Sequence, residues 1–207
     1  MNTEWAAENL LAIRTLMERS AIYRRALAPV MTFTGLVGIA AALVGASLNL
    51  NSTRAFAGFW MAVGVLAVAG DYLLVRRQAL KEKEPFWSPP TRRVTQAILP
   101  AFFVGMVSGA AFAGWVGDAA FAPLLAVIWM LLYGCALHAA GFFMPRGIKV
   151  FAWVFLLAAC ALLAVVATSQ PASPANLGHG VMGGFFGALQ LAYGIYLYFT
   201  EKRKSEA

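Results

Sequence analysis

Few ionisable or strongly polar residues interrupt the long apolar stretches of this chain, and these few are the residues that could do chemistry. The most prominent are Asp71 and His138. Each lies among apolar residues, where an ionisable group is costly and therefore often serves a ligand, an ion or a proton. Three further polar residues in such stretches are candidates for binding a ligand: Tyr133, Gln190 and Tyr193.

A structural interpretation stands beside the functional one for each of these residues. The Asp71 carboxylate could pair with Arg76 or another cation, or it could couple the movement of a proton or cation. His138 could hydrogen-bond a neighbouring helix, or it could contact a ligand, a metal ion or a proton. Interhelical hydrogen bonding is the default interpretation for the other three. If their segments lie side by side, Asp71, His138 and Tyr193 could face one cavity.

The spacing of the remaining reactive residues excludes several kinds of site. His138 and His179 lie near opposite ends of their segments, so they cannot ligate one haem, and no cluster of carboxylates and histidines has metal-binding spacing. The sequence contains no HExxH, GxSxG or GxxxxGK motif. Cys135 and Cys160 form no CxxC pair and are interpreted as small buried apolar residues. We therefore predict no metal, no cofactor and no catalytic residue.

The elements that must position these residues are long apolar segments. Of the 207 residues, 61% are hydrophobic and only 12% are charged, about half the charged fraction of a soluble domain. A helix needs about 20 apolar residues to cross a bilayer. Six segments meet that length: 29–50, 55–75, 97–116, 121–144, 148–168 and 178–199. They lack the alternation of barrel strands, so the predicted fold class is an all-α membrane protein with six transmembrane helices.

The distribution of positive charge predicts the orientation of these helices. If six spans alternate across the membrane, every Lys and Arg except Arg54 falls on one side. The positive-inside rule then places both termini in the cytoplasm. The net charge of +7 is interpreted as this topology signal and as a contact for anionic headgroups of the inner leaflet. A nucleic-acid partner is not expected.

The segments that flank the spans are short. Residues 1–28 contain a predicted amphipathic helix, with Leu10, Ile13 and Met17 on its apolar face. This helix could lie flat on the inner leaflet, or it could dock a cytoplasmic protein partner. Residues 200–207 form a basic cytoplasmic tail.

Small residues at four-residue spacing predict close approach between helices. They serve either a tight bundle or the seam of a homodimer, and both remain open. The positions that we assign to helix packing are Gly105, Gly109, Gly180, Gly183, Gly184 and Gly187.

Three longer motifs carry a resemblance to known proteins: IRTLMERS, WMLLYGCALHAAGFFMPR and GHGVMGGFFGALQLAYGIYL. In these motifs the chain resembles an uncharacterised family of small six-span bacterial inner-membrane proteins. That family has an IRxTMER-like N-terminal helix, a WLLLYG segment and a Gly-rich last span. Its members are often encoded beside winged-helix regulators, which implies a regulatory or stress-response setting but no particular activity. His138 departs from the family, which more often has a small or apolar residue there.

The sequence favours a non-enzymatic integral membrane module over two alternatives. Such a module would be an accessory or sensory subunit that binds a protein partner or a small apolar ligand. The first alternative is a transporter of a small solute or ion, or the substrate-binding component of one, that uses Asp71 and His138. The second alternative is a membrane-embedded enzyme, for which no motif is present.

Overall fold

The computed structural model describes residues 27–81, 86–87, 89–116, 119–144, 146–168 and 173–205. The predicted amphipathic helix before the first span lies outside the described residues, as do the last two residues of the basic tail.

The described chain is helical throughout and contains no strand. Five helices are continuous: α1 Leu27–Ser47, α2 Thr53–Lys81, α3 Pro89–Trp115, α4 Ala122–Ala140 and α5 Arg146–Thr168. The sixth span combines α6 Pro174–Met182, a π-helical segment Gly183–Leu189 and α7 Gln190–Ser205. Within these residues, six helices are long and apolar enough to cross a membrane. The predicted all-α fold with six long apolar helices is confirmed, and it fits a multi-pass membrane protein.

The helix ends differ from those predicted from apolar length alone. Helix α2 continues past residue 75 through Arg76 and Arg77 to Lys81, because Arg, Gln, Ala, Leu and Lys all favour helix. Helix α3 begins at Pro89, since proline is tolerated in the first helical turn. Helix α4 ends before Gly141, earlier than the predicted residue 144. Apolar length reports the part of a helix that suits a membrane, and the helix itself can be longer.

Helix α4 forms the centre of the bundle. Half of its most apolar stretch is buried, against 6% of the corresponding stretch in α2 and in α3. Leu125 and Met130 of α4 are fully buried, together with Phe155 of α5 and Phe56 of α2. Helices α2 and α3 therefore form a thin outer wall, and they are much less closely packed than the other side of the bundle.

Glycines allow α1 to lie directly against the sixth span. A Cβ atom added to Gly38 would collide with the carbonyl of Phe186, and one added to Gly187 would lie 2.8 Å from the backbone nitrogen of Ile39. Gly183 faces the same helix one turn away. Because no side chain fits between them, the two backbones touch. We call this contact the glycine seam.

The other four glycines that we assigned to helix packing have different surroundings. A Cβ atom on Gly109 would lie 2.7 Å from the Met61 sulphur, so this glycine does bring α3 close to α2. At Gly105 the nearest side-chain atom would be 3.7 Å away, which is an ordinary contact. Gly180 and Gly184 are exposed, and nothing in the described chain lies within 4 Å of an added Cβ.

Three polar residues in and beside the turn between α1 and α2 have defined structural roles. Asn49 adopts a φ of 50°, a left-handed conformation that asparagine tolerates better than most residues. The Ser52 hydroxyl accepts a hydrogen bond of 3.1 Å from the N–H of Ala55 and caps α2. The Arg54 Nε donates to the carbonyl of Ala113 at 2.8 Å and so satisfies the free end of α3.

We expect Gly187→Ala to destabilise the protein, and the matched Gly184→Ala to change little. Both variants add one methyl group to the same π-helical segment, but only the first places it against the backbone of α1. Overpacking of this kind costs about 1–3 kcal/mol, whereas a substitution on an open face stays within about 0.5 kcal/mol. Thermal unfolding in detergent, followed by circular dichroism, measures the difference. Equal unfolding midpoints would contradict the glycine seam.

Candidate functional site

A cavity of about 790 Å³ lies behind the outer wall of α2 and α3. Its other walls come from α1, α4 and the sixth span. Most of the lining is apolar, and representative residues are Val37, Val65, Val68, Phe102, Met106 and Phe186. Both the volume and the lining are typical of sites for small organic ligands.

Four polar side chains lie at one level of this cavity, and we call them the polar belt. They are Thr34 of α1, Asp71 of α2, Tyr133 of α4 and Gln190 of α7. The glycine seam fixes their common depth, because a Cβ atom on Gly35 would lie 2.5 Å from the backbone nitrogen of Leu191. Thr34 and Gln190, the sequence neighbours of these two residues, must therefore lie at the same level.

The Asp71 carboxylate is held by a single described partner. Its two oxygens each lie 3.0 Å from the Thr34 hydroxyl, which donates its one proton to the pair. Asp71 is half-buried, whereas Arg76 is exposed. Within the described residues no cation pairs with this carboxylate, so the pairing of Asp71 with Arg76 that the sequence allowed is not formed.

Gln190 and Tyr133 form the second half of the polar belt. The Gln190 Nε2 donates to the Tyr133 hydroxyl oxygen at 2.7 Å. Gln190 is fully buried, and its Oε1 has no hydrogen-bond partner in the described chain. In this orientation Oε1, the second amide N–H and the Tyr133 O–H proton remain available to a ligand, whereas in the opposite orientation Oε1 would accept from Tyr133 and both N–H groups would remain. An unpaired buried polar atom costs about 1–3 kcal/mol, which makes Oε1 a natural acceptor for a ligand.

The π-helical segment sets the direction in which Gln190 points. A π-helix bonds each residue to the fifth along the chain and so holds an extra residue per turn. Each added residue rotates the following helix by about 100°. Gln190 comes directly after the segment, so its position on the cavity wall depends on this irregularity. Apart from the run of glycines, no pattern in the sequence indicated this segment.

His138 does not line the cavity. It follows Tyr133 by five residues on α4, which rotates it by about 140° around the helix. Its ring lies between Phe142 and Trp153, at centroid distances of 5.6 Å and 5.7 Å. Its buried Nδ1 has no hydrogen-bond partner in the described chain. The predicted cavity shared with Asp71 therefore excludes His138.

Tyr193 also lies outside the cavity, because it turns towards α5. Its ring stacks on Phe151 at a centroid distance of 4.4 Å. Its hydroxyl is so close to Gly147 that an added Cβ there would lie 2.8 Å away. Of the three residues expected to share a cavity, only Asp71 lines it.

A buried pair that sequence reasoning missed lies at the far end of the cavity. The Trp60 Nε1 donates to the Nδ1 of His179 at 3.0 Å, and both residues are buried. The rings of Phe56 and Phe59 surround the imidazole at centroid distances of 5.0 Å and 6.0 Å. The two partners are 119 residues apart, so no local pattern could have revealed them.

The cysteines correct another expectation. Cys135 and Cys160 are free and exposed, whereas the sequence predicted that they would be buried. They lie on the outward faces of α4 and α5, and the outward face of an apolar helix is apolar as well. Among the described residues, no group of three or more His, Cys, Asp and Glu side chains could hold a metal ion.

No known protein family, curated protein or solved structure matches this chain. The cavity and its polar belt are therefore the basis on which function can be inferred.

We expect Trp60→Phe to destabilise the protein more than Trp129→Phe. The first change leaves the buried Nδ1 of His179 without a donor, at about 1–3 kcal/mol. The second removes a bond of 2.9 Å to the carbonyl of Gly105, which also accepts from the Ser108 hydroxyl at 2.9 Å. Thermal unfolding of both variants in one detergent measures the contrast. A larger loss in Trp129→Phe would show that the pair with His179 contributes little.

Proposed function

We propose that this chain is a multi-pass protein of a bacterial inner membrane that binds a small apolar ligand within its helix bundle. It would act without catalysis, as an accessory or sensory subunit. The observation that carries this proposal is the cavity of about 790 Å³ with an apolar wall and a short polar belt. Its outer wall is incomplete, since Val65 and Val68 are 57% and 49% exposed, and a space of this volume with an apolar lining suits a small organic ligand that enters from lipid.

The thin outer wall supports entry from the bilayer. Helices α2 and α3 line much of the cavity, and only 6% of the most apolar stretch of each is buried. Segments with few buried contacts are the ones that open most readily. A ligand dissolved in lipid could therefore pass between these two helices without crossing water.

Apolar surface and charge support the membrane location. Large apolar side chains cover the outside of the bundle, including Leu66, Phe103 and Leu157, each 60% or more exposed. A water-soluble surface rarely carries such a continuous apolar area. The bias of Lys and Arg supports cytoplasmic termini and contact with anionic headgroups of the inner leaflet.

Transport of a small solute or ion is the second candidate function. The position of Asp71 in the cavity wall favours it, because ionisable residues in membrane spans often mark ion or substrate pathways. His138, which the sequence grouped with Asp71, lies outside the cavity, so this candidate now depends on Asp71 alone. Loss of flux into liposomes in Asp71→Asn, with ligand retention unchanged, would favour transport.

The sensory setting has two further supports. The chain resembles a six-span family whose members are often encoded beside winged-helix regulators. The predicted helix within residues 1–28 would offer a docking surface for a cytoplasmic partner.

The outward-facing Gly180 and Gly184 are available for contact with a second copy of the chain in a homodimer, since small residues allow close approach between helices.

We expect Gly64→Leu to block ligand binding and the matched Gly58→Leu to leave it unchanged. Both glycines are exposed positions on α2 with nothing within 4 Å of an added Cβ, but only Gly64 lines the cavity. A long-chain alcohol carrying a photoreactive diazirine would be crosslinked in membrane vesicles. Mass spectrometry would then map the labels. Labelling of Met182 and Phe186, which line the cavity from the sixth span and are not exposed, should fall in Gly64→Leu alone.

Labelling of the outer surface, for example at Leu157, serves as the internal reference for this experiment. It reports probe in the surrounding lipid and should be equal in all variants. If cavity labelling in Gly64→Leu equals that in Gly58→Leu, the cavity is not the binding site.

Orientation is tested by introducing single cysteines in a background that carries Cys135→Ala and Cys160→Ala. We expect Asn51→Cys to react with a membrane-impermeant maleimide in intact spheroplasts, because it lies on the predicted outer side. Lys204→Cys should react only after the membrane is permeabilised. The reverse pattern would show that the charge bias does not set the topology of this chain.

A further inference from the structure

We infer that the ligand of this cavity is a cationic amphiphile, a long apolar chain that ends in an ammonium group bound at Asp71. The inference rests on the proposed function and names the chemical class of the ligand. It is drawn from the charge of the polar belt, its unused hydrogen-bonding capacity, and the shape of the apolar chamber beside it.

The charge at the cavity wall is the first observation. Asp71 lines a mostly apolar space, and no described cation pairs with its carboxylate. A carboxylate in apolar surroundings is costly unless a positive charge compensates it. Thr34 supplies one proton to two oxygens that offer about four acceptor sites. The carboxylate therefore has both charge and acceptor capacity left for a ligand.

The second observation is an unpaired buried acceptor in the polar belt, beside the carboxylate. The Thr34 hydroxyl donates to Asp71, and the Gln190 amide donates to Tyr133. The Gln190 Oε1 is an unpaired acceptor at the same level, on a fully buried side chain. A primary ammonium group has three donors and no acceptor, which complements this set. An anionic head group would instead be repelled by the carboxylate.

The third observation is the shape of the space next to the belt. Trp60 and Asp71 both line the cavity on α2 and are eleven residues apart, a rise of about 16 Å along the helix. Gly64 and Val68 line the wall between them. The chamber thus runs along the helix axis for about half of the ~30 Å hydrocarbon thickness. An extended chain would lie there parallel to the lipid tails, with its head at Asp71.

Two photoreactive probes with the same chain and the same diazirine test this inference. One ends in a primary ammonium group and the other in a hydroxyl group. Each is crosslinked to the full chain in membrane vesicles at neutral pH, and labels at Met182 and Phe186, which line the cavity and are not exposed, are counted relative to those at Leu157. This ratio corrects for the different partition of the probes into lipid. We expect the ammonium probe to label the cavity about tenfold more than the alcohol, because only the ammonium group can form a charge-assisted hydrogen bond with the carboxylate.

Variants of the belt show whether Asp71 is the cause of this preference. Asp71→Asn keeps the size of the side chain but removes its charge, so the two probes should label the cavity equally. Asp71→Glu retains the charge and should retain the preference. Thr34→Val removes the hydroxyl partner without touching the carboxylate and should retain it as well. A thermal unfolding midpoint in detergent close to that of the unmodified protein confirms that each variant is folded.

The possible outcomes separate this inference from the proposed function. Equal cavity labelling by both probes in the unmodified protein would overturn the cationic ligand and leave the binding function intact. A preference that persists in Asp71→Asn would remove Asp71 from the site. Absence of cavity labelling by either probe would contradict the proposed function itself.

The same ligand chemistry could come from the membrane or from outside the cell. Native mass spectrometry of protein from cells grown without added amphiphile distinguishes the two sources. A bound amine in that preparation identifies a membrane component. An empty cavity that still prefers the ammonium probe identifies an external compound.

Discussion

Backbone atoms of α1 and the sixth span touch along the glycine seam, and the positions of the polar groups in the bundle depend on this contact. Gly35 meets Leu191, and Gly38 meets Phe186, with no side chain between them. This brings Thr34 to the depth of Gln190, and the bond between Thr34 and Asp71 then places α2. Since α1 occupies the space next to the sixth span, α2 stands further out, and the cavity remains between α2 and the core.

The bundle therefore has two sides with different physical properties. On the side of α4 and α5, aromatic rings such as Phe155 and Tyr133 pack at a centroid distance of 5.0 Å, and the interior is dense. On the side of α2 and α3, most side chains face outward or into the cavity. A rigid half that holds the Gln190–Tyr133 pair and a loose half that holds Asp71 meet at the polar belt. An occupant that binds both would tie the two halves together.

The sequence predicted which segments form long helices, but it did not predict which face of each helix packs against its neighbours. Continuous apolar length revealed six helices, because that property needs no knowledge of neighbours. Rotation about each axis could not be read, since these helices are apolar on nearly all sides and give no amphipathic signal. Asp71, Tyr133 and Gln190 were singled out as candidates because they are polar, but their grouping depended on that rotation. His138 and Tyr193 were placed with Asp71 because the sequence indicates depth but not rotation. In the structure their rings contact Trp153 and Phe151, which both belong to α5.

The glycine seam joins the first span of the chain to its last, and this has a consequence for the order of assembly. Ile39 meets Gly187, which is made on the order of ten seconds later at ordinary rates of synthesis. During that interval the glycine face of α1 has no partner, and the long-range contact must wait for the loops between to be complete. The bundle is thus complete only when its last helix packs against its first. A chain shortened before the sixth span would lose the contact that positions its first helix.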